Sequence, residues 1–287
     1  MQLKSKKVVL TGGSHGLGKE IVKMFLNEGA SVSMCARNMA DLEKAYDDLA
    51  PHRKEGQKLL IHQADVSKWH DVENFANYTV ENLGGIDVLV NNAGVHGSKN
   101  AIDDPDFDMD GWMQAINVNL AGTLNMCRAA MPFLKNAGNG KIINLSGGGA
   151  TSQMPGMSAY ASSKAAIVRF TETIAIELKK QKIDVNAVAP GAMNTRLLDD
   201  VLDNAQGKIT DEYYQRALKQ KETGGTPLNK AAELCVYLAS AKSNGITGKL
   251  ISAVWDDWKN LHNHLEALDS DIYTLRRIVP EDRSIAL

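Results

Sequence analysis

At 287 residues the chain is long enough for one large α/β domain or two small ones, and 44% hydrophobic against 23% charged residues describes a globular protein, not a disordered or fibrous one. The 32 Lys and Arg nearly cancel the 34 Asp and Glu, so a formal charge of -2 excludes a field that gathers nucleic acid or anionic membrane and leaves a small molecule as the expected partner. Three cysteines, Cys35, Cys127 and Cys235, are too scattered for a disulfide framework or a zinc site, which fits a reducing, cytoplasmic setting.

In MQLKSKKVVLTGG, glycine and polar residues interrupt before a signal-peptide core forms, and no later apolar run is long enough to span a membrane. A soluble, unprocessed chain is expected. Short β-branched runs then alternate with stretches of helical periodicity. KVVLT (7–11) predicts a strand, about 16–27 a helix, and SVSMCA (31–36) a second strand. A helix near 40–49, the strand KLLIHQA (58–64), a helix near 68–83 and the apolar strand IDVLVN (86–91) follow. A long helix is predicted around 111–135, then the strand KIINLS (141–146), a helix near 158–180 and the strand IDVNAVA (183–189). Strands apolar on both faces, alternating with helices, predict an α/β fold on a doubly wound parallel sheet.

After Pro190 the pattern loosens, and residues from about 192 to 226 are expected to be a substrate-side segment of the same domain. A helix near 229–240 and the strand KLISAVW (249–255) complete a domain of residues 1–255. In the C-terminal extension, 256–287, Trp258, Leu261, Leu265 and Leu268 recur at spacings of three and four and predict an amphipathic helix. It docks on the chain's own body or, alternatively, sits at a subunit interface or over the active site.

The turn Thr11-Gly12-Gly13-Ser14-His15-Gly16-Leu17-Gly18 joins the first strand to the first helix, the context in which glycines cradle a pyrophosphate. Gly12, Ser14, His15, Gly16, Leu17 and Gly18 are therefore candidate nucleotide contacts; tight strand-to-helix packing alone is the alternative. Where an acid usually meets the ribose hydroxyls of NAD, the sequence reads Cys35-Ala36-Arg37-Asn38. Arg37 in place of a carboxylate favours a 2'-phosphate, hence NADP over NAD. Asp65 and Val66 end the third strand and Asn91, Asn92, Ala93 and Gly94 the fourth, on the carboxyl edge where open parallel sheets bind ligands.

Tyr160 and Lys164 stand four apart on a predicted helix and so share a face, which lets the ammonium favour the ionised phenol. Bringing a tyrosine from about 10 to about 7 takes roughly 4 kcal/mol, which a nearby ammonium and an oxidised nicotinamide could supply together in a shielded site. Tyr160 would then serve as general acid and base.

TGGSHGLG, the DV at 65–66, NNAG at 91–94, VNLAGT around Asn119, YASSK at 160–164 and the PG at 190–191 occur in one order over roughly residues 5–255. In that order the chain resembles a classical short-chain dehydrogenase/reductase. The resemblance implies a Rossmann-type catalytic domain that passes hydride between a nicotinamide and an alcohol or carbonyl carbon. It implies that Lys164 also holds the nicotinamide ribose and that Asn119 supports a water linking this lysine to solvent. It further implies that the loop carrying Pro190, Gly191 and Thr195 lies along the carboxamide, and that subunits pair through their long central helices as a homodimer or homotetramer.

The family usually places a substrate-orienting serine where this chain has Gly147. Ser146 comes one residue early, and because strand side chains alternate faces, its hydroxyl is aimed away unless the backbone twists. Ser146 is kept as the candidate, with Thr151, Ser152 and the glycine amides as competitors. A nucleotide-binding regulator or scaffold with weak or no turnover is the alternative function, and Gly147 is its main support. His262 and His264 lack the partners of a metal site, so no metal is expected. Met193, Leu197, Leu198, Tyr213 and Tyr214 offer an apolar substrate wall, whereas His96, Ser98 and Gln153 suit a polar alcohol or sugar equally well.

Overall fold

Val8, Val9 and Leu10 are shut off from solvent on both faces of their strand, which requires a sheet held between two helical layers. The computed structural model describes residues 1–285 and places this strand, β1 (Lys7–Thr11), in a sheet of seven. The others are β2 (Ser31–Ala36), β3 (Leu59–Gln63), β4 (Val88–Asn91), β5 (Gly140–Leu145), β6 (Ile183–Ala189) and β7 (Leu250–Ser252). Their order is β3-β2-β1-β4-β5-β6-β7 with every pair parallel, the doubly wound α/β architecture expected. Between β1 and β4 the winding reverses, so the connections leaving these strands part and open a crevice at their carboxyl ends.

Ten α-helices stand among the described residues: α1 (Gly16–Asn27), α2 (Met39–Leu49), α3 (Trp69–Leu83), α4 (Met109–Ala115), α5 (Gly122–Asn136), α6 (Ser158–Glu177), α7 (Arg196–Asn204), α8 (Asp211–Thr223), α9 (Leu228–Ala239) and α10 (Leu265–Leu268). Alternate residues of β1 serve opposite cores. Val8 and Leu10 meet Ile21 and Phe25 of α1 and Leu234 of α9, while Val9 meets the layer holding Phe75 of α3 and Met126 of α5.

Three stretches depart from the sequence expectation. The helix expected over 111–135 starts at Met109 and widens into a π-helical stretch at Ile116–Ala121 before resuming as α5. Such a bulge re-aims the residues within it, here Asn119. The loosened stretch after Pro190 contains two helices, α7 and α8, the latter capped where Thr210 accepts from the amide of Tyr213. Its neck is pinned by an antiparallel bridge between Met193 and Gly225, and Leu198, Val201, Ile209 and Ala217 form a small apolar cluster with Met157.

The tail does not form one amphipathic helix. Trp258–Asn263 is a 3-10 turn, and α10 has only four residues. The Tyr237 hydroxyl accepts the amide of His262 at 3.1 Å and so takes it out of a helical ladder. Trp258, Leu261 and Leu268 are nevertheless buried against the α9 layer, so the tail docks on its own body. Beyond α10, the Tyr273 carbonyl accepts the amide of Leu250 at 2.8 Å along the outer side of β7. Lys249 donates to the carbonyls of Ser270 and Ile272, and Leu275 donates its amide to Glu172 of α6. No helix among the described residues is long and apolar enough to cross a membrane.

Candidate active site

The crevice is a cavity of about 1370 Å³ that runs from the glycine turn past the ends of β4 and β5 to α7 and α8. That exceeds the roughly 300–1,000 Å³ of a site for one small ligand. At one end, Gly12 adopts φ +70° and donates its amide to Cys35, and a methyl group on Gly18 would stand 2.0 Å from the Gly12 carbonyl oxygen. This contact seats α1 directly behind the turn. No side chain caps α1, so its first amides and the positive end of its dipole face the cavity. Ser14 and His15 bond each other at 2.9 Å, and Gly16 abuts Thr195 of the loop after β6.

The rest of this wall is prepared in the same way. Asn92 donates its side-chain amide to the carbonyls of Thr11 and Gly12, tying β4 to the turn, so what it presents to the cavity is mainly backbone. Ala93 and Gly94 leave the adjoining surface flat, and Pro190, Gly191 and Thr195 line the opposite side. Asp65 spends one carboxylate oxygen on Ser67, and Val66 packs against Gly122. Arg37 is exposed on the cavity rim and pairs with no acid among the described residues. Amides at a helix start above a flat glycine floor fit the pyrophosphate of a dinucleotide.

Midway along the cavity, α6 carries Tyr160 and Lys164 on one face. The Lys164 ammonium lies 5.6 Å from the phenol ring centre, is 4% exposed, and donates to the carbonyl of Leu145 at 2.8 Å. Burial lowers Lys164 to about 8, while burial and then Tyr213 push the Tyr160 phenol above its ordinary value. The lowered phenol expected from the sequence is thus not produced by the protein's own groups, because loss of solvent around the ring outweighs an ammonium turned toward Leu145. Asn119 is fully buried and bonds the amide and carbonyl of Val95 and the hydroxyl of Ser163. It makes no direct contact with Lys164; the two converge at Gly94, where a methyl group would meet Asn119 Oδ1 at 3.3 Å and Lys164 Nζ at 3.5 Å.

Ser146 is the clearest correction. It lines the cavity, but its side chain is 3% exposed and its hydroxyl is spent on the Lys164 carbonyl at 3.2 Å. The backbone twist that would have brought its hydroxyl round does not occur. A side chain at 147 would point to the right place, since its Cβ would stand 2.8 Å from the Tyr160 hydroxyl. At φ 174° the backbone there is extended and open to any residue, so the glycine reflects the space in front of it and no strain.

Residues 6–206 match the family model for short chain dehydrogenase. The chain belongs to that family. This short-chain dehydrogenase is similar to the 3-oxoacyl-(acyl-carrier-protein) reductase FabG of Thermotoga maritima, with 32% identity over 88% of this chain and 97% of that one. It is 34% identical to 3beta-hydroxysteroid dehydrogenase 1 of Eggerthella lenta over 86% of this chain and 91% of the other. D-beta-hydroxybutyrate dehydrogenase of Rhizobium meliloti is 30% identical over 86% and 96%. The crystal structure of levodione reductase shares the fold, with a TM-score of 0.79 at 23% identity over 91% of this chain and 99% of that one. The protein is therefore an oxidoreductase.

Sequence reasoning missed the charges that bridge the crevice of this dehydrogenase. Arg196 and Asp200 stand one turn apart on α7; Arg196 reaches Asp41 of α2 at 3.1 Å, and Asp200 reaches Lys99 at 2.8 Å and His96 at 3.4 Å. One helix face thus touches both walls. The i, i+4 spacing was visible, but their partners, more than a hundred residues away, were not. Of the apolar wall, Met193, Leu197, Leu198 and Tyr213 line the cavity, whereas Tyr214 turns inward and donates to the Leu202 carbonyl. Gln153 and His96 line it too; Ser98 is buried away from it.

Proposed function

We propose that this protein transfers hydride between NADP(H) and an alcohol or carbonyl carbon, with Tyr160 as general acid in reduction and general base in oxidation. The observation that carries this reading is the placement of the Tyr160 hydroxyl on the cavity wall beside Gly147, with Lys164 behind it and the glycine turn in the same crevice. The relatives named above, a reductase and two hydroxy-compound dehydrogenases, support the same class of chemistry. When bound, the nicotinamide would give or take the hydride; the chain's residues supply the proton and the orientation. Lys164 stabilises the phenolate and holds the ribose, and Asn119 positions the loop at Val95 and the helix at Ser163. NADPH oxidation across a carbonyl panel tests the reading.

Gly12, Ser14, His15, Gly16, Leu17 and Gly18 cradle the pyrophosphate, Asp65 and Val66 meet the adenine, and Asn92, Ala93 and Gly94 floor the nucleotide. Arg37 binds the 2'-phosphate and favours NADP over NAD. Arg37→Asp is expected to weaken NADPH at least about tenfold while leaving NADH little changed, because a charge-assisted pair becomes a repulsion. Competitive fluorescence titration of the two nucleotides checks this.

Lys164 sets an alkaline limit. Its ammonium is lost as pH rises through about 8, so kcat/KM for reduction is expected to fall above that pH, and the limb to vanish in Lys164→Met along with most activity. The stability effect has the opposite sign. A lysine depressed below its unfolded value destabilises the fold while charged, and this cost is relieved as pH climbs from about 8 toward 10.5.

The partner is a small molecule, and the setting that suits three buried free thiols is cytoplasmic. Leu124 on α5 and Ile176 on α6 stay exposed, which supports pairing of these helices in a homodimer or homotetramer. Gly147 favours a second reading, a nucleotide-binding regulator with weak or no turnover. Nucleotide binding without Tyr160-dependent oxidation would select it.

A further inference from the structure

His96 stands beside Tyr160 as a second polar ring that the proton chemistry above does not use. It lines the cavity, is 7% exposed, and packs edge-on against Tyr160 with ring centres 4.8 Å apart. Its Nδ1 lies 3.4 Å from Oδ2 of Asp200, and the same carboxylate takes Lys99 Nζ at 2.8 Å and the Asn204 amide at 3.0 Å. Nε2 bonds no group among the described residues, yet it is not one of the buried orphaned atoms. It opens on the cavity.

Proton bookkeeping decides what Nε2 offers. The bond to His96 first, then Lys99 and Asn204, hold the Asp200 carboxyl well below the usual carboxylate range. An ionised oxygen opposite Nδ1 fixes the ring proton there. Burial pushes the ring below its ordinary value, and Lys99 and Lys164 push the same way against the pull of Asp200, so no second proton is held at neutral pH. Nε2 therefore presents a lone pair, which repels a carbonyl oxygen and accepts from a hydroxyl. The His96 ring packs against that of Tyr160, so a hydroxyl beside the reacting carbon is the group within its reach.

We infer that His96, tethered by Asp200, selects substrates bearing a hydroxyl on the carbon beside the reacting one: α-hydroxyketones in reduction and vicinal diols in oxidation. This rests on the hydride-transfer reading. The carbonyl carbon gains hydride from NADPH, its oxygen gains the Tyr160 proton, and a diol leaves with NADP. The neighbouring hydroxyl keeps its own proton, shared with Nε2. Asp200 acts as a positioning residue, because it fixes the tautomer without meeting substrate.

Two matched pairs test the inference: acetoin against butanone, and benzoin against deoxybenzoin, with NADPH oxidation as the readout. The hydroxyketone is expected to exceed its partner at least about tenfold in kcat/KM, since a site built for a hydroxyl discriminates strongly against its absence. His96→Leu should bring that ratio to within about threefold of one, Asp200→Asn should lower it, and His96→Gln, whose amide oxygen also accepts, should restore part of it. NADPH affinity confirms that each variant is folded. A ratio near one in the wild-type enzyme, or one unmoved by His96→Leu, overturns the inference and leaves the hydride chemistry standing. No turnover of any ketone with NADPH bound overturns both.

Discussion

Tyr160→Phe is expected to lower kcat for carbonyl reduction by about three powers of ten, the middle to upper range for a positioned general acid, while NADPH affinity changes less than about tenfold. Only the hydroxyl is removed, from a half-buried ring whose packing against His96 is kept. Its two neighbours at the end of β5 offer no replacement, because Gly147 has no side chain and the Ser146 hydroxyl is bonded to the Lys164 carbonyl. Stopped assays with single-turnover controls check the loss. Turnover within tenfold of wild type would show that the proton comes from elsewhere.

Gly18→Ala carries the largest expected effect on binding. Its methyl would stand 2.0 Å from the Gly12 carbonyl oxygen and 2.5 Å from the Asn92 amide nitrogen. Neither can yield freely: Gly12 is backbone, and the Asn92 amide already donates to two carbonyls. Overpacking of this kind costs about 1–3 kcal/mol of stability, and here relief requires α1 to back away from the turn. NADPH affinity should fall by about a hundredfold or more, since the amides that face the phosphates would move with the helix. Gly148→Ala is the control. Nothing lies within 4 Å of its added methyl, and its stability should stay within about 0.5 kcal/mol of wild type. Urea unfolding and nucleotide titration on both variants separate packing from affinity.

What could be read from the chain, and what could not, follows the range of the interactions. β1, β2 and β6 were legible to the residue because each is a short run of apolar and β-branched residues, shielded on both faces and bounded by turn signals. The glycine turn was legible because its neighbours in sequence are its neighbours in space. The pairing of Tyr160 with Lys164 was legible because one helical turn fixes it. The π-helical stretch at Asn119 was not, since its widening leaves the apolar spacing of a helix intact. The Ser146 hydroxyl was half-read: pleating predicted its aim, and only the structure showed that no twist reverses it. The desolvation of the phenol was not legible, because charge spacing is visible in a sequence and burial of a ring is not. Asp200 and Arg196 act through partners on distant segments, and nothing local announces them.

The bond from the Leu250 amide to the Tyr273 carbonyl also bears on the edge of the sheet. β7 ends the sheet, and an end strand with free amides and carbonyls is a template on which other chains can polymerise. Here the molecule's own last segment lies over that template, held by Lys249 and Glu172. Proteolytic trimming ahead of Ser270 would therefore leave the cavity lining in place and uncover that template, so the trimmed chain is expected to aggregate more readily in light scattering than the full one.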